Sequence, residues 1–164
     1  MPIDSHLSAE VEHLGRAYDF ELIGVRTQGR SEIEVAENIA SVRTEFDCFL
    51  INRSGGGTSS AELVTLAVAR CVRGWVEIFG TDAEAIHDAV DQASVRIGRQ
   101  TSIGDGDPMT AWNSVMTDDE LAKYIATGGQ GDCGLKAVVY FADGSEEALF
   151  YERLKNCLNW RRRK

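Results

Sequence analysis

FDCFLINRSGGGTSSAELVTLAVARCV, residues 46–72, is the stretch that decides the fold. Its first part, FDCFLIN, is a short and nearly continuous apolar run, which is typical of a strand buried in a core. The serine and glycine residues that follow allow a sharp turn. The last part, from Ala61 to Val72, carries apolar residues at helical spacing. The stretch therefore predicts a buried strand, a glycine-rich turn and a helix.

The same alternation of strand and helix recurs along the chain. Strands are predicted for residues 20–27, 46–52, 75–79 and 135–141, each followed by a helix. A further helix is predicted ahead of the first strand, over residues 7–18. Such alternation favours a parallel sheet with right-handed crossovers and helices on both faces. The sequence predicts a single three-layer α/β/α sandwich over residues 1–164, with a mostly parallel sheet of about four strands, a leading N-terminal helix and flexible ends at 1–6 and 161–164.

Three helix starts carry capping signals. Ser31 is followed by acidic residues in the first predicted turn, which complement the positive end of a helix dipole. Thr117 and Glu120 have the spacing of a capping box. Thr81 precedes the predicted third helix and is expected to cap it.

The net charge is −9, and it is unevenly distributed. The final RRRK contributes +4, so the other 160 residues carry −13. A field of this sign repels nucleic acid and anionic membranes, and it attracts basic proteins and cationic ligands. No apolar run approaches the roughly 20 residues of a membrane helix, and no signal peptide is evident. We therefore expect a cytoplasmic protein that binds neither membrane nor nucleic acid.

The cysteine pattern predicts neither a metal site nor a disulfide framework. Cys48, Cys71, Cys133 and Cys157 are far apart, and none lies in a CxxC pair. Cys133 lies in a GDCG segment without a histidine at a spacing that would activate it, so an ordinary thiol is expected there. We expect no cofactor.

The glycine-rich turn is the first candidate site. Glycine amides can approach an anion closely, and hydroxyls at a helix N-terminus can add donors. No lysine follows the glycines, so the pattern is not that of a P-loop, and a purely structural turn is the simpler interpretation. The candidate ligand-binding residues are Ser54, Gly55, Gly56, Gly57, Thr58 and Ser59.

The segment from Gln100 to Met116 shows no regular periodicity, and because long loops are often functional, its part from Gly104 to Trp112 is the second candidate site. Asp105 and Asp107 have oxygen ligands suited to a divalent cation, although Asp-Gly is also common in turns. Met109 and Trp112 either hold the loop against the core or anchor a partner.

An acidic helix face is the third candidate site. His87, Asp88 and Asp91 point away from the predicted apolar face of the third helix, where residues i and i+4 are neighbours. They form either a solvated surface or a surface for a partner.

These observations do not decide whether the protein is an enzyme, but they favour a protein without enzymatic activity. We expect a non-catalytic acidic binding protein, such as an inhibitor or immunity protein that neutralises a basic, toxin-like partner. The alternative is a small phosphate- or nucleotide-binding enzyme or sensor that uses Ser54–Ser60 together with Asp105 or Asp107.

Overall fold

Within the residues that the structure describes, the chain forms six strands and five helices. A computed structural model describes residues 9–17, 19–54, 62–98 and 109–162. The strands are β1 (Val11–Arg16), β2 (Glu21–Val25), β3 (Asp47–Asn52), β4 (Trp75–Gly80), β5 (Met109–Asn113) and β6 (Leu135–Phe141). The helices are α1 (Glu32–Ala40), α2 (Glu62–Cys71), α3 (Ala83–Arg96), α4 (Asp118–Ala126) and α5 (Glu146–Arg162).

The six strands make one mostly parallel sheet in the order β1-β2-β6-β3-β4-β5. Only the β1–β2 pairing is antiparallel among the described strands. Strand β3 lies between β6 and β4, and all six of its residues are buried. The prediction of an α/β fold with a mostly parallel sheet is confirmed, with the stretch that opens at Phe46 near the centre of the sheet.

Helices pack against both faces of the sheet. In β3, Cys48 and Leu50 belong to a core formed with α1, α2 and α3. The alternate residues Phe49 and Ile51 belong to a second core formed with α4 and α5. This alternation follows from strand geometry, in which successive side chains point to opposite faces. A continuous apolar strand is therefore needed wherever both faces are covered.

The predicted capping signals have different outcomes. Ser31 and Thr117 each cap a helix through a complete capping box, with Glu34 and Glu120 respectively. The prediction for Thr81 is wrong, because α3 begins after Asp82, which has a left-handed φ of 56° and no side-chain cap hydrogen bond. The backbone of Thr81 is held instead by Asn52, which accepts from its N–H at 2.8 Å and donates to its carbonyl at 2.9 Å.

The leading helix is also a wrong prediction, since Val11–Arg16 form strand β1. Val11 and Leu14 are both buried, and their three-residue spacing resembles that of a helix. In strand β1 the two side chains face opposite sides of the sheet, because Val11 belongs to the core formed with α1, α2 and α3 and Leu14 to the core formed with α4 and α5. An apolar spacing of three residues therefore fits a strand that is covered on both faces as well as a helix.

The sheet has six strands, whereas the sequence predicts about four. The two strands that were not predicted are β1 and β5. Strand β5 is short, and it follows a segment rich in turn-forming residues, GDGDP. It pairs with β4 in parallel from Met109 opposite Trp75 to Asn113 opposite Phe79. In the part of the chain that the structure describes, none of the five helices combines the length and the apolar character needed to cross a membrane.

Candidate functional site

The predicted acidic residues of α3 meet strand β5 at the edge of the sheet. The hydroxyl of Thr110 donates to Asp91 Oδ1 at 3.0 Å and lies 2.9 Å from His87 Nε2. His87 Nδ1 lies 3.3 Å from Asp88 Oδ1. The structure thus brings His87, Asp88 and Asp91 together, and Thr110 of the unpredicted strand connects two of them.

Trp112 lies on the same face of β5 as Thr110, since residues two apart in a strand share a face. Its register partner is Ile78, whose side chain belongs to the core beneath α3. The Trp112 residue is 45% exposed, and Val115, just beyond the strand, is 83% exposed. We call the surface formed by His87, Asp88, Asp91, Thr110 and Trp112 the acidic edge surface.

A cavity lies on the opposite face of β4 and β5. Its volume is about 490 Å³, which is within the usual range for small-molecule sites. Trp75, Glu77 and Phe79 of β4 contribute one wall, and Tyr124 of α4 contributes another. Trp112 borders the cavity as well, so the cavity and the acidic edge surface meet at the same edge strand.

Glu77 is the buried charge of this cavity, with 3% of the residue exposed. The hydroxyl of Tyr124 donates to one carboxylate oxygen, and the backbone N–H of Gln130 donates to the other at 3.0 Å. A Cβ at Gly129 would lie 2.3 Å from Glu77 Oε2, so a glycine is needed where the backbone passes this carboxylate. Among the described residues, no cationic side chain forms an ion pair with Glu77.

Tyr124 is held firmly as the donor to Glu77. Its ring makes edge contacts with Phe79 and Phe49, with centroid separations of 5.9 and 6.5 Å. Burial and the hydrogen bond to Glu77 raise the pKa of Tyr124 to about 12. Tyr124 therefore stays protonated at neutral pH and supplies a hydrogen bond without a charge.

A second buried carboxylate, Asp47, lies at the amino edge of the sheet and is fully engaged. Lys136 Nζ lies 2.5 Å from Asp47 Oδ2, and both side chains are 2% exposed. The backbone N–H groups of Trp75 and Cys133 also donate to Asp47, at 2.8 and 3.1 Å. Because these contacts join β3, β4 and β6 to the loop before β6, the cluster has a structural role.

Cys133 is not an activated nucleophile. Burial, followed by the negative charge of Asp47, raises the pKa of its thiol to about 11. The reactive form of cysteine is the thiolate, which is scarce at neutral pH when the pKa is raised. The expectation of an ordinary thiol at Cys133 therefore agrees with its surroundings.

The described part of the glycine-rich turn lies at the carboxyl edge among acidic side chains. Ser54 Oγ donates to Asp143 Oδ1 at 2.8 Å. Arg53 Nε donates to Asp118 Oδ1 at 2.9 Å, and the hydroxyl of Tyr140 donates to Asp118 Oδ2 at 2.7 Å. The other predicted ligand-binding residues, Gly55, Gly56, Gly57, Thr58 and Ser59, lie outside the described residues.

The predicted metal-binding loop also lies mainly outside the described residues, which include neither Asp105 nor Asp107 nor the side chain of Met109. The backbone of Met109 begins β5 beside Trp75, at the amino end of β4. Ser54, by contrast, follows the carboxyl end of β3. A joint pocket of the turn and the aspartates stays a prediction. No three His, Cys, Asp or Glu side chains within the described ranges are placed to share a metal ion.

The cavity was not predicted from the sequence, although a signal for it was present. Glu77 in WVEIF, Asp47 in FDCFLIN and Lys136 in LKAVVYF each place one charge within an apolar strand. A charged residue in a buried strand needs a specific partner or a ligand. The pattern marks such residues, but their partners are distant in the sequence.

Comparison with family profiles found no match to this chain, and comparison with curated protein sequences found none either. Among solved structures, UDP-N-acetylmuramate–alanine ligase from Thermotoga maritima matches at 7% sequence identity and a TM-score of 0.49. The match covers 93% of this chain and 30% of the ligase chain. A likeness this weak carries no inference about the function of this chain.

Proposed function

We propose that this chain is a non-catalytic acidic binding protein whose partner is a basic protein, in the manner of an inhibitor or immunity protein against a basic toxin. The observation that carries the proposal is the acidic edge surface, where the half-exposed Trp112 lies on an edge strand beside carboxylates of α3. A large, partly exposed aromatic side chain is a common anchor of a protein interface.

The charges of α3 support a basic partner. Asp88 and Asp91 have side chains that are 64% and 39% exposed, and Glu84 is exposed one turn earlier. The only lysine or arginine of this helix is Arg96 in its last turn, where it forms an ion pair with Glu62. Carboxylates on a surface of this kind accelerate encounter with a positively charged partner, and salt screens the effect.

The alternative of a phosphate or nucleotide site at Ser54–Ser60 gains less support. Arg53, the cation next to the turn, is bound to Asp118, and Ser54 donates to Asp143. Two carboxylates therefore lie where an anionic ligand would approach, and their repulsion opposes it.

We further propose that residues 1–164 form one three-layer α/β/α domain that acts in the cytoplasm. The packing of helices against both faces of a single sheet supports the three-layer domain. The balance of acidic and apolar residues is compatible with a cytoplasmic location.

The test begins with identification of proteins that the tagged chain retains, followed by titration of each purified partner at about 50 and 300 mM salt. Trp112→Ala is expected to weaken binding at least about tenfold, as for an interface anchor. Asp88→Asn/Asp91→Asn is expected to slow association and to reduce its salt dependence.

The matched control is Glu37→Gln/Glu45→Gln, which removes two exposed carboxylates of the α1 region while changing the net charge equally. It is expected to leave affinity within about twofold, because charges outside an interface act only weakly through solvent. A basic partner whose affinity responds equally to both double variants, and not to Trp112→Ala, would contradict the proposal.

A further inference from the structure

The strongest unexplained feature outside the acidic edge surface is the charge of Glu77. Only 3% of the residue is exposed, and Glu77 lines a cavity of about 490 Å³. Tyr124 and the N–H of Gln130 provide two neutral hydrogen bonds. Neutral donors satisfy lone pairs of a carboxylate but leave its charge without a counter-ion, which is costly in a buried position.

The other cavity walls have a composition that suits a cation. Three of the lining residues are aromatic, namely Trp75, Phe79 and Tyr124, and Asn113 also lines the cavity. Aromatic faces attract ammonium and guanidinium groups through the ring quadrupole, most strongly where water is displaced. A buried carboxylate beside aromatic rings attracts a cation and disfavours an anion.

Asp47 differs from Glu77 in having a cationic side chain as its partner. Both carboxylates accept backbone N–H groups from the segment between α4 and β6. Asp47 also has the ammonium group of Lys136 at 2.5 Å, whereas Glu77 lines a cavity and has no cationic partner among the described residues. Within this part of the chain, one buried carboxylate is therefore neutralised by a lysine and the other lies at the wall of a cavity.

We propose that this cavity binds a guanidinium or primary ammonium group, with Glu77 as its counter-ion and the aromatic residues as its walls. The group belongs either to a small organic cation or to an arginine or lysine side chain of a protein. The proposal stands on the cavity and does not depend on the basic partner of the acidic edge surface. A small cation that binds here would support it even if no protein partner existed.

The first experiment uses n-butylguanidinium and its uncharged analogue n-butylurea, which have nearly the same shape. Backbone amide resonances are followed by NMR during titration of the purified chain. Butylguanidinium is expected to cause saturable shifts at Gln130 and Ala111, whereas butylurea is expected to bind at least about tenfold more weakly because it lacks the charge.

The second experiment changes the protein. Glu77→Gln is expected to weaken butylguanidinium binding at least about tenfold, and Trp75→Leu by about threefold. Glu45→Gln, which removes an exposed carboxylate elsewhere, is the matched control and is expected to leave binding unchanged. Circular dichroism checks that each variant is folded. If Glu77→Gln fails to fold, Trp75→Leu and the comparison with butylurea decide the outcome.

A third experiment distinguishes the source of the cation. A blocked Gly-Gly-Arg-Gly-Gly peptide is compared with the same peptide carrying citrulline. Selective binding of the arginine peptide would indicate a protein side chain, and binding of butylguanidinium without the peptide would indicate a small molecule. Equal binding of butylurea and butylguanidinium, shifts confined to residues outside the cavity, or undiminished binding by a folded Glu77→Gln variant would overturn the proposal.

Discussion

Buried charge is the main residue-scale feature of this protein. Asp47 and Lys136 lie 89 positions apart in the sequence and meet as paired residues of β3 and β6. Lys136 also donates to the carbonyl of Gly131 at 2.7 Å and lies 5.4 Å from the centre of the Phe20 ring. The pair is therefore satisfied on all sides, and removal of one partner would leave an uncompensated charge.

Lys136→Met is expected to lower the free energy of unfolding by roughly 3–5 kcal/mol, because it leaves Asp47 ionised and buried without a cation. Urea unfolding followed by circular dichroism measures this loss. Asp47→Asn/Lys136→Met is expected to recover part of it, since neither charge then remains.

Arg96→Gln provides the comparison for this prediction. This substitution breaks the ion pair between Arg96 and Glu62. Both side chains are more than 60% exposed. Its cost is expected to stay below about 1 kcal/mol, because solvent screens the pair. If Lys136→Met lowers the free energy of unfolding no more than Arg96→Gln does, the buried ion pair contributes no more to stability than the exposed one.

At the scale of elements, α4 and β5 together form the cavity. Helix α4 begins at the Thr117 capping box, and it brings Tyr124 above Glu77 about two turns later. Strand β5 supplies the opposite boundary through Ala111 and Asn113. The start of α4 and the pairing of β5 thus position the groups that face a ligand.

Thr117→Ala is expected to destabilise the protein by about 1 kcal/mol, because the N–H of Glu120 loses its side-chain acceptor. Thr81→Ala is the matched control, since Thr81 also precedes a helix but does not cap it. Its cost is expected to be within about 0.5 kcal/mol. Equal losses in urea unfolding would contradict the assigned difference between the two helix starts.

For the whole molecule, buried tyrosines couple stability to alkaline pH. Burial, followed by hydrogen bonding or nearby carboxylates, raises the pKa of Tyr124, Tyr140 and Tyr151 above the ordinary value for tyrosine. All three belong to the core formed with α4 and α5 or pack against it. The folded chain therefore retains these protons at a pH where the unfolded chain releases them.

The free energy of unfolding is expected to fall as pH rises above about 10, the ordinary pKa of tyrosine. The contribution of Tyr124 is complete below that pH and is lost as pH passes through its folded pKa of about 12. Urea unfolding at several pH values between 8 and 12 measures the slope. Tyr124→Phe is expected to make the slope shallower, and an identical slope in this variant would contradict the assignment.

The outcomes of the sequence-based predictions follow the range of the interactions involved. The caps at Ser31 and Thr117 were predictable because each depends on residues within one helical turn. The segment at Val11 was misassigned because its apolar spacing fits a helix and also a strand covered on both faces, and pairing with β2 selects the strand. Glu77 was visible as a charge in an apolar run, but its partners Tyr124 and Gln130 lie about 50 residues away.

The sequence by itself determined the α/β class, the central strands and most helix starts, because periodicity, caps and turn residues act locally. Tertiary structure decided the two outer strands, since an edge strand depends on its pairing: β1 pairs with β2 across a short connection, and β5 pairs with the more distant β4. It also decided which polar groups meet. The acidic residues of α3 meet Thr110 because β5 pairs with β4, and Glu77 meets Tyr124 because α4 packs on the other face of the sheet.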